Sequence, residues 1–253
     1  MKRVGFIGTG HIAAPMVRFL ASSGHEVTVS ERGADVAAEL AASVGAKVRD
    51  NQGVIDASDI VFLCLRPAVW EEIVRGLTFR ADQQVVSVMA DVSVASLLDA
   101  TSPAKDISVT IPIGFLERGG CPLPAFPKAE PLASLFSPEN PVIELSEESQ
   151  IADHFAASAL LSAALTVMKD GADWLGEQTG NPVGAETYVA SLIAGFMRDV
   201  PKDGQGRILE ERSALASPNT LNRAVVDAME QAGTRATIRT VMQALSDKMK
   251  GTT

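Results

Sequence analysis

Residues 8–12, Gly-Thr-Gly-His-Ile, have the types and spacing of a loop that grips a phosphate through its main chain. Gly8 permits a tight turn and Gly10 lets the backbone approach an anion. Ala13, in the variant form of the third glycine of a GxGxx(G/A) pattern, lets a helix lie close on the preceding strand. Val4 to Ile7 is a short apolar run of β-formers, and Ile12, Met16, Phe19 and Leu20 recur at helical spacing, so the pattern predicts strand, turn and then helix from His11 onward. Unpaired amides at that helix start would face a diphosphate. Glu31 stands about 20 positions further on, where a carboxylate accepts hydrogen bonds from adenosine ribose hydroxyls, and Arg32 beside it suits a 2′-phosphate. NAD and NADP are both open, with a lean to NAD because Glu31 would repel the phosphate. The competing readings are a glycine turn in an unrelated α/β protein and two solvated charges at a strand end.

The elements that must position this loop read in order. Ser22-Ser23-Gly24 stops the first helix, and Glu26 to Ser30 alternates as a second strand. Ala34 to Ser43 is an alanine-rich helix closed by Gly45, Lys47 to Arg49 a short strand, and Asp50-Asn51 a helix start. Asp59 to Leu65 is an almost continuous apolar strand of the kind buried on both faces of a parallel sheet, ended by Arg66-Pro67. Helix 69–77, strand 84–89, a helix opened by Ser93, strand 107–111, a Pro- and Gly-rich loop through Pro127 and a last strand 141–145 follow. Repeated βα units with short connections predict a doubly wound sheet whose ligands lie beyond the carboxyl ends of the strands. Ser146-Glu147-Glu148 then reads as a helix start, and only helices follow. The helix from Ile151 to about Leu175 is apolar nearly all round, and a second apolar helix runs from Ala185 to Met197. Such helices bury themselves against a partner subunit, which predicts a homodimer through the second half.

Composition bounds the function. The 253 residues are 46% hydrophobic and 21% charged with a net charge of −9, an ordinary globular balance that disfavours nucleic acid as a partner. The start lacks a clean signal-peptide core, the longest apolar helix carries Asp153 and His154 near its start, and the two cysteines have no metal-ligand spacing. The expectation is a cytoplasmic protein that takes a small-molecule substrate, with neither membrane nor metal.

On the opening GFIGTGHIA, Asn51 after the third strand, Leu65-Arg66-Pro67, the segment from Val88 to Val94, LFSPENPVIELSEES, and Ser217-Pro218 with Glu230 and Gly233, the chain resembles the pyrroline-5-carboxylate reductase family over nearly its whole length. GHEVTVSER and DIVFLCL also fit the more distant 3-hydroxyacid dehydrogenase relatives. The resemblance implies a Rossmann-type domain over residues 1–146 and an all-helical dimerisation domain over 147–253. It further implies NAD(P)H-dependent reduction of a cyclic imine, and adds Asn51, Leu65, Arg66, Pro67 and Ala90 to Gly8, Thr9, Gly10, His11, Ile12, Glu31 and Arg32 as cofactor positions.

Substrate positions depart from the family. Its Ser-Gly-Ser-Gly-Pro-Ala-Tyr run corresponds here to Ala159 through Leu165, its Pro-Asn after the sixth strand to Pro112-Ile113, and its small residue near the nicotinamide to Asp91. The threonine that holds the imine nitrogen falls on Asn222. Asn222 could polarise the acceptor or cap a helix, and Ser162 could place a hydroxyl over the nicotinamide or serve close helix packing. Asp91 could be a carboxylic acid with a raised pKa in an apolar pocket or the cap of the next helix. Lys169 reads as part of a solvated turn. The expected function is oxidoreduction of a small imine on an altered substrate; a 3-hydroxyacid or carbonyl oxidoreductase and a non-catalytic NAD(P)-binding dimer are the alternatives.

Overall fold

The computed structural model describes residues 1–251 apart from Ala90 and divides into two compact units. The first comprises Met1–Phe155 and the residues from Ser246 on; the second is Ala156–Leu245. The division falls later than residue 146 because the first turns of the helix after the sheet stay with the first unit.

The first unit is built on an eight-stranded sheet in the order β3-β2-β1-β4-β5-β6-β7-β8. The strands are β1 Arg3–Ile7, β2 Glu26–Ser30, β3 Lys47–Arg49, β4 Ile60–Leu63, β5 Gln84–Ser87, β6 Asp106–Thr110, β7 Leu123–Phe126 and β8 Val142–Glu144. Neighbours run parallel except β6 and β7. Helices α1 Ala13–Ser22, α2 Ala34–Val44, α3 Asn51–Ala57, α4 Trp70–Arg75, α5 Val94–Ala100 and α6 Glu130–Phe136 connect them. Consecutive strand residues feed opposite cores: Phe6 and Phe62 belong to one apolar cluster, Ile7 and Leu63 to the other. Phe6 and Phe62 stack at 4.8 Å and Phe136 meets Phe62 edge-on. Burial on both faces is why β4 is apolar at every position. Asp50 caps α3 by accepting from the Gly53 amide at 2.7 Å, and Gly45 ends α2 at φ +73°, both as the residue types require.

Three stretches differ from the sequence reading. The supposed loop before Pro127 contains a short 3₁₀ turn, Gly114–Arg118, and the strand β7. Prolines 122, 124 and 127 mask that strand, but it reaches β6 only through Ala125 and Phe126, so the missing Pro124 amide costs that pairing nothing. The long helix expected from residue 151 is two, α7 Ser149–Ser158 and α8 Leu160–Thr179, because the Ala159 amide bonds to the Ala156 carbonyl and tightens one turn. Ser146 does not cap α7; the Gln150 side chain instead reaches back to the amide of Ser146 at 3.0 Å.

In the second unit, α8 and α9 Pro182–Asp199 form a helical hairpin. Gly180 at φ +66° closes α8, and Asn181 caps α9 through the Gly184 amide. Helices α10 Arg207–Leu215, α11 Leu221–Gln231 and α12 Thr234–Met249 follow. The unit buries few of its own apolar side chains: Leu165, Trp174, Tyr188 and Leu192 are each more than half exposed. Residues 149–179 are long and apolar enough to cross a bilayer by length and composition alone.

Candidate functional site

Gly8 sits at φ +96°, and a Cβ there would lie 2.3 Å from the Cys64 carbonyl oxygen, so only glycine fits. Its amide donates to the Ser30 hydroxyl at 2.9 Å, and the buried Thr9 hydroxyl donates to the Arg32 carbonyl at 2.5 Å. A Cβ on Gly33, at φ +91°, would meet that hydroxyl at 2.7 Å. The loop between β1 and α1 is thus pinned to the end of β2 from two sides. Ser30 and Gly33 escaped the sequence reading, because a lone serine at a strand end and a glycine in a turn carry no distinguishing spacing.

Beyond Gly8 the loop changes character. Gly10 has nothing within 4 Å of where its Cβ would be. Among the described residues, the amides of Gly10, His11 and Ile12 have no recorded protein acceptor. Helix α1 begins at Ala13 rather than His11, with Ile12 at the cap position, no side-chain cap and no acidic residue in its first turn. An open cradle over uncapped amides at a helix start fits an anion. The Gly8 amide is thus engaged by Ser30 and the Thr9 side chain by the Arg32 carbonyl, leaving only the Thr9 main chain to the loop. Burial pushes the Cys64 thiol far above its usual range, so it stays neutral behind Gly8.

The remaining cofactor positions of this unit follow the sheet's carboxyl edge in strand order. Glu31 and Arg32 are exposed after β2, where the Glu31 amide donates to the Arg49 carbonyl at 2.9 Å. Asn51 is half-buried at the start of α3. Leu65 is half-buried and Arg66 and Pro67 exposed after β4, with the Arg66 carbonyl accepting from Val69 and Trp70. Ala90 lies outside the described residues. At the end of β6, the Thr110 hydroxyl is buried with no hydrogen-bond partner among the described residues. Thr110→Val is therefore expected to raise the stability of the ligand-free protein by about 1 kcal/mol, read as a higher urea midpoint at unchanged slope.

Asp91 is exposed, which corrects the expectation of an acid held in an apolar pocket. It does not cap the next helix either: Ser93 accepts from the Ser96 amide and Glu148 from the Val94 amide. Asn222 is likewise not a cap, since Thr220 accepts from the Arg223 amide at 3.2 Å. The Asn222 side-chain amide makes a long 3.4 Å bond to the Leu215 carbonyl and lines an apolar groove with Phe196, Met197 and Val225. Ser162 is exposed on α8 outside that groove, and its carbonyl accepts from Thr166. Lys169 lies within α8, paired with Asp173, rather than in a turn. No cluster of side chains suited to a metal exists among the described residues.

A mostly parallel sheet with its glycine loop at the carboxyl edge, followed by a helical unit, defines a Rossmann-type dinucleotide-binding class. Residues 3–91 match the family described as NADP oxidoreductase, coenzyme F420-dependent. Over 98% of its length the chain is 25% identical to pyrroline-5-carboxylate reductase from Corynebacterium melassecola, covering 97% of that protein. The solved pyrroline-5-carboxylate reductase of Coxiella burnetii superposes with a TM-score of 0.83 at 21% identity, covering 99% of this chain and 98% of that one. The Plasmodium falciparum pyrroline carboxylate reductase, solved with NADP bound, gives 0.81 at 12% identity, covering 99% and 97%. The resemblance read from the motifs is borne out along the chain, and the fold is the one it implied.

Proposed function

We propose that this protein is an NAD(P)H-dependent oxidoreductase that reduces the C=N bond of a small imine and works as a homodimer through its second unit. The observation that carries the reading is the loop after β1, whose open Gly10 and unengaged amides suit a diphosphate at the carboxyl edge of the sheet. The whole-chain similarity to pyrroline-5-carboxylate reductases supports the choice of imine over carbonyl. When bound, the reduced cofactor supplies a hydride; the protein has to orient it, exclude water and place a donor at the acceptor. Glu31, Arg32 and Asn51 are assigned to the adenosine end, the amides of residues 10–12 to the diphosphate, and Leu65, Arg66, Pro67 and Ala90 to the path toward the nicotinamide. Asn222, Ser162 and Asp91 are assigned to the substrate side.

The test is turnover of NADH and NADPH with a panel of cyclic imines and ketones, alongside direct cofactor titration. Imine-dependent oxidation supports the reading; ketone-dependent oxidation alone transfers it to carbonyl chemistry, and cofactor binding without turnover makes the protein a nucleotide-binding dimer. Asn222→Ala is expected to lower turnover about tenfold, the size of one neutral hydrogen bond to the acceptor, with cofactor affinity unchanged. Unaltered turnover removes Asn222 from the mechanism.

A further inference from the structure

We infer that the groove beside Asn222 receives the body of the substrate, and that this body is a bulky uncharged group, an aryl or branched alkyl substituent on the imine. The inference rests on the proposed oxidoreductase function and names the substrate class of that same site. The groove lies wholly within the second unit, where the end of α9, the length of α10 and the start of α11 converge. Its volume is about 370 Å³, within the range of small-molecule sites. Phe196 and Met197 of α9, Ile208 and Leu215 of α10 and Val225 of α11 supply apolar walls. The Thr220 cap starts α11 so that Asn222 and Val225, three residues apart, share one face of the helix.

Among the described residues that line the groove, the strongly polar side chains are Asn222, Arg212 and Glu211. The Asn222 amide holds the Leu215 carbonyl at 3.4 Å, a long bond that a ligand can replace. Arg212 is the groove's cation, and Glu230 already pairs with it at 2.5 Å. Glu211, half-buried, adds negative charge to the lining. One amide that fixes orientation among apolar walls is the usual composition of a small-molecule site, and more polar than a helix seam requires.

These groups sort substrates by charge and size. A carboxylate entering the groove gives up hydration beside apolar walls, finds its cation taken and faces Glu211. An uncharged ring gives up no polar hydration and is enclosed by side chains from three helices. Enclosing several carbons in this way is worth at least tenfold in kcat/KM. Phe196 lies one turn of α9 from the exposed Leu192, so a second copy of the chain is the rival occupant.

Cofactor oxidation with 2-phenyl-1-pyrroline and with 1-pyrroline-5-carboxylate tests this, with sedimentation equilibrium run alongside on the unsubstituted protein and on Val225→Lys. The phenyl imine is expected to have a kcat/KM at least tenfold above that of the carboxylated one. Val225 is 62% exposed, so its replacement leaves the fold intact. Val225→Lys puts a free cation on the wall and is expected to lower the ratio at least tenfold, with association and cofactor affinity unchanged. Glu230→Gln releases Arg212 and is expected to move the ratio in the same direction without altering the walls. A preference for the carboxylated imine, or a ratio that neither substitution moves, overturns the assignment even if imines are turned over. Loss of association in Val225→Lys gives the groove to a second copy and overturns it as well. Absence of oxidation with every imine overturns the function together with it.

Discussion

Replacing Gly8 with alanine is expected to weaken cofactor binding at least tenfold and to destabilise the first unit by about 2–4 kcal/mol, whereas Gly10→Ala should weaken binding alone. The two glycines differ in what surrounds them. At Gly8 the added methyl meets the Cys64 carbonyl at 2.3 Å, on a backbone at φ +96°. That atom is main chain just past the neighbouring strand β4 and cannot swing aside. At Gly10 the methyl meets no protein atom within 4 Å and φ is not positive, so the fold absorbs it. The same methyl then stands in the cradle assigned to the diphosphate. Thermal or urea unfolding and titration with NADH and NADPH separate the two: the expected pattern is a shifted midpoint for Gly8→Ala only, and binding weakened at least tenfold for both. Normal cofactor affinity in Gly10→Ala would remove the loop from cofactor binding.

Leu192→Glu is expected to convert a dimer into a monomer, weakening association at least a hundredfold, as a carboxylate stranded in an apolar interface costs several kcal/mol. Tyr188, Leu192 and Phe196 recur every four residues on α9 and so form one stripe, with Leu192 56% exposed. Within the single chain this substitution breaks no core, so circular dichroism should show helix content unchanged. Sedimentation equilibrium then reads association directly. A dimer that persists at micromolar concentration in Leu192→Glu would place the subunit contact elsewhere.

The first unit was legible because its signals are local. Gly8 and Gly10 at fixed spacing, the unbroken apolar run of β4, and Asp50 ahead of α3 each report a backbone or burial requirement satisfied within a few residues. Strand β7 was hidden because prolines at 122, 124 and 127 carry the composition of a loop, and only pairing to β6 and β8 makes it a strand. The roles of polar side chains were the least legible. Asp91 and Ser93 are equally good caps by type, as are Thr220 and Asn222, and the choice within each pair depends on which oxygen the folded backbone brings to a free amide.

What the amino-acid order determined by itself is the strand, glycine turn and helix at the start, the alternation that makes a doubly wound sheet, and the apolar helices of the second half. Each follows from periodicity and from the backbone freedom of particular residues. What only the tertiary structure decided is the use of each group around the loop. It turns the Gly8 amide and the Thr9 hydroxyl inward to β2 and leaves the amides of residues 10–12 open. It also relieves Asp91 of any capping duty, because Ser93 lies nearby in sequence while Glu148 is brought in from beyond β8. Hydrogen bonds between residues 22 to 54 positions apart set these roles, and no local pattern encodes them.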